Sequence, residues 1–526
     1  MNFLVFFCCL LLFFFIFFLP ALPLTNLFSY IIFSAKKIIL LRIIFSSISV
    51  KIVLTVSLIF LAILFFSLYY IKRGPFFGYF IFSIVLFVVS IIILCLSNSF
   101  FILFIGWDGL GVTSFLLIIF YRNWKRVNNS VFTLLRNRIG DGLLLIFIGL
   151  LLFDLSILRK IFLIFFPFSI IVIFVSFTKR AQVPISSWLP AAIAAPTPVR
   201  ALVHSSTLVT AGVVVLIKFF FSLYKIEFQF ILLFFSLLTI FIAGVSALVE
   251  IDFKKLIALS TLRQIGLLIF ILSVGLKWFG FFHLLSHAFF KRALFLIVGG
   301  GLHFVFSQQD WRAYAAVFNF SIFYRTIIFL CLLCLCGLFF SSGFVSKDLF
   351  IDRINNKNIS FWFSFIFLIS LLLTFFYSTR LIKCVFKKSL YNFNLKLQKG
   401  FYSIELRPLP LFFFSVGFSY WIINNYYFFF RNLVFEKKIF LILIFLFAFI
   451  RVLLCFNTFF IKTIGFLDLI LKGFFLEEIK KFNRAEKGFL DIFLLGGLSF
   501  NKFVFLNKTK GVGLLFLLFF VIICYF

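Results

Sequence analysis

The stretch Lys179-Arg-Ala-Gln-Val-Pro184-Ile-Ser-Ser-Trp-Leu-Pro190-Ala-Ala-Ile-Ala-Ala-Pro196-Thr-Pro198 decides how the chain folds. Its four prolines stand between apolar stretches. Proline lacks an amide donor and its ring clashes with the preceding turn, so a helix here must be interrupted. On both sides, apolar runs of about twenty residues recur along almost the whole chain, and each is long enough to cross a bilayer. Only 12% of the 526 residues are charged and 64% are hydrophobic. A soluble chain of this length would need far more charge to cover its surface. With so little backbone left to face water, a helical bundle is what satisfies the hydrogen bonds in lipid.

The formal charge of +33 raises the question of nucleic acid. A nucleic-acid binder gathers its basic residues on a polar domain, and no such domain is present. Loop lysines and arginines that obey the positive-inside bias and face anionic lipid account for the excess. Nine cysteines lie mostly within apolar runs, where they behave as small hydrophobes. Cys331, Cys334 and Cys336 share one apolar helix with no histidine nearby, which favours packing over metal binding. The segment 1–20 has an apolar core without a basic start and reads as a first spanning helix, not a cleaved signal.

Apolar runs at 2–20, 27–48, 51–71, 76–97, 99–121, 131–153, 160–177, 200–223, 228–249, 256–275, 279–304, 321–342, 361–380, 409–430, 439–460 and 511–526 predict an all-α polytopic membrane protein of about 15–16 transmembrane helices. A weaker interruption at Ser341-Ser-Gly343 precedes Lys347 and Asp348. Paired interrupted helices in two halves of a chain point to antiporter-like inverted repeats with a site near the midplane; two ordinary loops are the alternative that periodicity leaves open. Residues 462–510 interleave charges with Leu, Ile and Phe, and Glu477 and Lys481 have the i, i+4 spacing that supports a helix. An amphipathic helix lying laterally along a surface or across partner subunits is expected there. The resulting division is 1–97 for N-terminal spans, 98–350 for the core, 351–461 for C-terminal spans, 462–510 for the lateral helix and 511–526 for a terminal anchor.

An ionisable residue at the bilayer centre costs roughly 2.5–3.5 kcal/mol on insertion scales, so each needs a reason. Asp108 lies inside an apolar run. Arg138 and Asp141 share one helical face at i, i+3 and can pair. Lys179 precedes the proline-broken segment, Lys254 and Lys255 open one helix, and Lys347 sits at the second break. All four histidines fall in this central region, at His204, His283, His287 and His303. His283, His287 and Lys291 line one stripe of a helix. Histidine titrates near neutrality, and a desolvated lysine can be drawn towards that range. With water between them, such groups can pass protons. A zinc site is the rival explanation for paired histidines, but no nearby carboxylate supplies a third ligand.

Eight blocks in order, spanning roughly 98–350, give the chain a specific likeness. Gly106-Trp-Asp-Gly-Leu-Gly, Asn137-Arg-Ile-Gly-Asp, Lys179-Arg-Ala-Gln-Val-Pro, Ser187-Trp-Leu-Pro and Ala195-Pro-Thr-Pro-Val-Arg-Ala-Leu-Val-His are followed by three more. These are Asp252-Phe-Lys-Lys-Leu-Ile-Ala-Leu-Ser-Thr, His283-Leu-Leu-Ser-His-Ala-Phe-Phe-Lys and Gly343-Phe-Val-Ser-Lys-Asp. Together they resemble the antiporter-like subunit family of NADH:ubiquinone oxidoreductase, respiratory complex I, and the lateral helix with its anchor resembles the chain 5 branch.

The resemblance implies a proton-translocating membrane-arm subunit in the mitochondrial inner membrane. It implies that Asp108 pairs with Lys179, that Lys254, His283 and His287 form a central relay, and that Lys347 serves the second half-channel. His204, Lys291, Asp348, Arg138 and Asp141 complete the expected site. The family usually has Glu where Asp108 stands, and often His where Ser186 stands. No cofactor is expected on this chain: there is no iron–sulfur cysteine spacing and no dinucleotide fingerprint. NADH, FMN, iron–sulfur clusters and ubiquinone would belong to partner subunits. The expected partners are other membrane-arm subunits, especially antiporter-like ones along 462–510, and lipid including cardiolipin. A subunit of a multi-subunit cation/proton antiporter, and a non-pumping scaffold of the same shape, are the competing functions.

Arg136, Arg180, Arg200, Arg263 and Arg292 are anomalous inside or beside apolar helices, because no carboxylates are evident for them. The resemblance implies serine at these positions. Invertebrate mitochondria read AGA and AGG as serine and ATA as methionine, and the chain has a single methionine and 96 phenylalanines, the latter fitting a T-rich gene. Serine decoded at those five codons, or true arginine, are the two readings.

Overall fold

In a computed structural model, the described residues are 29–35, 39–44, 46–71, 76–121, 123–157, 165–183, 185–186, 188–192, 195–220, 226–304, 322–337, 341–343, 346–347, 361–386 and 410–417. All of them belong to one compact unit, Met1–Phe456; the other unit, Asn457–Phe526, lies outside them. The expected lateral helix at 462–510 and the spans at 2–20, 439–460 and 511–526 therefore fall outside the described residues.

Eleven helices make up the bulk of what is described: α1 Ser47–Tyr70, α2 Phe77–Leu96, α3 Phe100–Ile119, α4 Trp124–Ile157, α5 Phe165–Arg180, α6 Leu208–Lys218, α7 Ile226–Val249, α8 Phe253–Ser273, α9 Lys277–Phe304, α10 Ile322–Cys336 and α11 Phe361–Phe386. Six of these contain stretches long and apolar enough to cross a membrane. Each helix coincides with an apolar run expected from the sequence. The run at 27–48 departs from expectation: strands β1 Ser29–Ala35 and β2 Ile39–Ile44 pair antiparallel, with Ser29 opposite Ile44 and Ala35 opposite Ile39. Lys36 and Lys37 split this run into two short pieces rich in Ile, Leu and Phe, and pieces that short suit a strand as well as a helix.

The bundle has an apolar core in which polar and charged side chains are also buried, and its outer face is apolar as well. Phe82, Ile105, Ile146 and Phe230 are each more than half exposed, at 54%, 58%, 55% and 56%. That is the expected face towards lipid, where apolar surface carries no penalty. Buried Ser and Thr hydroxyls answer their own needs by donating to carbonyls one turn back, as Ser83, Ser90, Thr133, Ser176 and Ser273 do. Helices α8 and α9 sit deepest and pack against each other and against the surrounding helices. A smaller apolar cluster of Leu237, Leu267, Phe270 and Phe367 fastens α11 to α7 and α8.

Both expected helix interruptions are present. After α5, Ala181 turns into the left-handed region at φ 53°, a conformation that a non-glycine residue holds only when its surroundings enforce it. Short helical turns at Trp188–Ala191 and Thr197–Val199 follow, then a π-helical turn at Arg200–Thr207 that runs into α6. The indole Nε1 of Trp188 donates to the carbonyl of Thr178 at 2.8 Å, satisfying an acceptor that the break leaves without a helical partner. After α10, Gly337 at φ 77° ends the helix, and Ser341–Gly343 and Ser346–Lys347 carry the chain past it.

Close backbone approach matters most where α2 meets α3. A Cβ on Gly106 would lie 2.8 Å from the backbone nitrogen of Leu94 and 3.0 Å from its Cα, so the helices could not keep their separation. Gly106→Val is expected to destabilise the protein by about 1–3 kcal/mol, as overpacking does. Thermal denaturation of the purified protein measures this; an unchanged midpoint would show that the two backbones are not in contact.

Candidate functional site

Four charged residues on three consecutive helices converge where α5 ends. Asp108 comes from α3, Arg138 and Asp141 from α4, and Lys179 from the last turn of α5. Arg138 Nη1 lies 2.8 Å from Asp108 Oδ1 and 3.6 Å from Asp141 Oδ2. Lys179 Nζ lies 3.8 Å from Asp141 Oδ1. These are ion-pair contacts without aligned hydrogen bonds, since the carboxylate oxygens of Asp141 and the Lys179 amine have no hydrogen-bond partner among the described residues. Side-chain exposure falls from 39% at Arg138 and 17% at Asp108 to 4% at Asp141 and 0% at Lys179. The cluster thus runs from an accessible rim to a buried interior.

Small residues make the space. Gly111 leaves room for the lysine: a Cβ there would sit 3.2 Å from Nζ. Gly140 lets α4 close onto Thr178, the residue before Lys179. The amine lies 5.3 Å from the centre of the Trp107 ring, whose face offers a cation some of what water would. The expected pairing of Asp108 with Lys179 is not the arrangement found. Arg138 holds the short Asp108 side chain, and Asp141 is the carboxylate nearest the lysine.

A second cluster lies on α8, α9 and the second break. His283, His287 and Lys291 are buried on one stripe of α9, as their spacing predicts. The imidazole rings of His283 and His287 are 6.2 Å apart between centroids, so a proton passing between them needs a bridging water. Lys291 Nζ donates to Ser260 Oγ at 2.6 Å. His283 Nε2 meets Gln264 Oε1 at 3.3 Å, and its Nδ1 meets Ser346 Oγ at 2.8 Å. Lys347 is buried and donates to the carbonyl of Leu335 near the C-terminal end of α10, where the helix dipole favours a cation.

Other expected residues fall elsewhere. Lys254 sits half-buried in the first turn of α8, away from the Ser260–Gln264 stripe, beside Lys255, which pairs with Asp252 at 2.9 Å. His204 lies within the π-helical turn, which packs against α9, but its side chain is outside the described residues. Asp348 is also outside them. Among the described residues no three His, Cys, Asp or Glu side chains converge as a metal site, and no third ligand accompanies His283 and His287.

Sequence reading passed over Ser260, Gln264, Ser346 and Gln182. The i, i+4 spacing of Ser260 and Gln264 in an apolar helix was the available signal. Gln182 Oε1 accepts from Thr239 Oγ1 at 2.6 Å, which ties the first break to α7.

Residues 97–374 match the family model described as NADH:quinone oxidoreductase/Mrp antiporter, TM. The NADH-ubiquinone oxidoreductase chain 5 of Caenorhabditis elegans is 37% identical over 456 residues, covering 86% of this chain and 82% of that one. The chain belongs to the NADH-ubiquinone oxidoreductase chain 5 family. Chain 5 of Ascaris suum is 38% identical over 72% of this chain and 69% of its own length, and that of Locusta migratoria is 42% identical over 57% and 54%. Among solved structures, a chain of the Mrp complex from Dietzia aligns with a TM-score of 0.64 at 22% identity, covering 77% of this chain and 48% of that one. A chain of the membrane-bound sulfane sulfur reductase, an archaeal respiratory membrane complex, aligns with a TM-score of 0.65 at 21% identity, covering 77% and 70%. These two likenesses establish the antiporter-like fold. As a member of the chain 5 family, the protein is a proton-translocating membrane-arm subunit of NADH:ubiquinone oxidoreductase.

The arginines sort into two groups. Arg138 has its carboxylates, and Arg126 lies 4.3 Å from the centre of the Tyr121 ring. Arg136, half-buried, lies 5.2 Å from the Phe132 ring. Arg180, Arg263 and Arg292 are buried to 0%, 1% and 1% exposure. All three guanidinium nitrogens of Arg180 and Arg263, and Nε and Nη1 of Arg292, have no hydrogen-bond partner among the described residues. The Arg263 guanidinium lies 5.7 Å from the centre of the Tyr377 ring. A buried, uncompensated charge costs several kcal/mol. Peptides of the native complex that span these three positions are therefore expected to carry serine, encoded by AGA or AGG, while Arg126 and Arg138 remain arginine. Mass spectrometry of the peptides checks this, and CGN codons at the three sites would exclude it.

Proposed function

We propose that Asp141 gates the proton on Lys179, and that this proton exchanges with the buried row of His283, His287, Lys291 and Lys347. The observation that supports it most directly is that Asp141 lies between two cations at similar distances, Arg138 at 3.6 Å and Lys179 at 3.8 Å. A carboxylate so placed can favour either one. A buried ammonium stripped of its counter-charge is less stable in its charged form, so a shift of Asp141 towards Arg138 favours release of the lysine proton into the bundle. A shift back favours uptake from the more exposed Asp108–Arg138 side. The relative stability of the two arrangements is what a neighbouring subunit could alter by moving charge.

On this reading the chain works in the mitochondrial inner membrane, which its animal relatives support, alongside other membrane-arm subunits. It contributes the proton step, while NADH oxidation and ubiquinone reduction take place on partners that carry the cofactors. The expected contact of 462–510 with antiporter-like neighbours, and binding of cardiolipin, belong to the same proposal. The cation/proton antiporter alternative shares the family model and the fold, but the chain 5 relatives at 37–38% identity support the respiratory subunit more.

Removing one partner of a buried pair is costly, about 3–5 kcal/mol, so Asp141→Asn is expected to cripple Lys179 function more than Asp108→Asn does. Loss of the acid–base group in Lys179→Ala should slow proton transfer about a hundredfold or more. Proton uptake and NADH turnover of the assembled complex in sealed vesicles measure both. Unchanged pumping in Lys179→Ala would remove the lysine from the path. Greater damage from Asp108→Asn than from Asp141→Asn would return Asp108 to the role of partner.

A further inference from the structure

We infer that Gln264 and Ser346 are positioning residues for His283, arranged so that its ring can take up and give back a proton without losing a hydrogen bond. The inference rests on the relay reading above. His283 is fully buried and both ring nitrogens are engaged: Nε2 with Gln264 Oε1 at 3.3 Å, Nδ1 with Ser346 Oγ at 2.8 Å. The two partners come from different elements, α8 and the second break, and so hold the ring between them.

Their chemistry differs in a way that matters. An amide oxygen only accepts, so Nε2 must carry a hydrogen to satisfy it. The neutral ring then presents the lone pair of Nδ1 to Ser346, whose hydroxyl hydrogen donates to it. Ser346 Oγ has a second acceptor within reach, the carbonyl of Gly343 at 3.3 Å. When a proton arrives from the relay at Nδ1, the lone pair becomes an N–H bond and the serine hydrogen turns from Nδ1 to the Gly343 carbonyl. The new N–H donates to Ser346 Oγ, while Nε2–H stays on Gln264. When the proton returns to the relay, the hydroxyl turns back. Neutral and charged rings are both satisfied, and the change between them is one hydroxyl rotation. In a buried site this matters, because a donor or acceptor left without a partner is costly.

The same geometry couples the ring to the second break. Ser346 precedes Lys347, and Gly343 packs against the backbone of α10 at Cys334, where a Cβ would have no room. A movement of this segment would therefore displace the hydroxyl from Nδ1 or Gly343 from the hydroxyl. The charged and titratable groups that act on the ring are Lys347 from the break and His287 from α9; beyond them, His287 also interacts with Lys291 and Arg292, and Lys347 with Arg263 from α8 and Cys334 and Cys336 from α10.

The test uses the assembled complex in sealed vesicles and follows protons moved per NADH oxidised across pH, with assembly and redox turnover by artificial acceptors as controls. Ser346→Ala and Gln264→Leu are each expected to slow proton transfer about tenfold or more, in line with other residues that orient a working histidine, and to change the pH profile. Ser346→Thr, which keeps the hydroxyl, should restore both. A Ser346→Ala complex that pumps like the wild type while His283→Gln is defective would overturn the positioning role. So would failure of the threonine to rescue, which would mark the site as packing alone. If His283→Gln itself pumps normally, the relay reading fails instead. Should Gln264→Leu not assemble, Gln264→Asn draws the carbonyl back by one methylene, and wild-type pumping in that variant counts against Gln264.

Discussion

A lysine amine buried in the interior of a membrane bundle is the constraint around which the first half of this protein is built. Lys179 is fully buried, and its nearest carboxylate, Asp141, is nearly so. Desolvating such a pair costs several kcal/mol per ion, and the attraction between them repays it only with good geometry. The contacts at 3.6–3.8 Å are looser than a closed salt bridge. A tight pair would be the better structural element, but on the proposed role it would hold the lysine proton too firmly to release it. Trp107, Gly111 and Gly140 shape the pocket so that the pair is tolerated without being locked.

The two breaks solve one problem differently. A helix that stops inside a membrane leaves carbonyls that lipid cannot satisfy. At the first break a neutral donor, the indole of Trp188, covers the carbonyl of Thr178, so the nearby lysine is free to face Asp141. At the second, the cation itself covers the carbonyl of Leu335. Among the described residues Lys347 thus meets a backbone carbonyl where Lys179 meets a carboxylate, so on the proposed relay the first lysine would answer to movement of a side chain and the second to movement of a backbone.

Much of this was legible in the residues. Pro184, Pro190, Pro196 and Pro198 announced the first break, because proline's missing amide acts locally wherever the chain goes. The stripe of His283, His287 and Lys291 followed from helical period alone. Partnership across helices was not legible. Which of Asp108 and Asp141 meets Lys179 depends on how the three helices are set against one another and on where Arg138 points, and neither is written in local spacing. Ser260, Gln264 and Ser346 were missed for a related reason: small polar residues in apolar helices usually bond to their own backbone, and only the fold shows which of them face a histidine. The hairpin at 29–44 was read as a span because two short apolar pieces look continuous when summed.

The π-helical turn at Arg200–Thr207 carries one further consequence. Such a turn contains an extra residue relative to an α-helix. If the wide turn migrates along the chain, every residue it passes rotates by about 100° around the helix axis, one residue's worth of α-helical twist, while the segments on either side stay in place. His204 lies within that turn, and Thr207 donates to the carbonyl of Leu202 across it. The first broken helix thus contains a bearing as well as a gap, able to reorient a side chain through a large angle without sliding either half of the helix through the membrane.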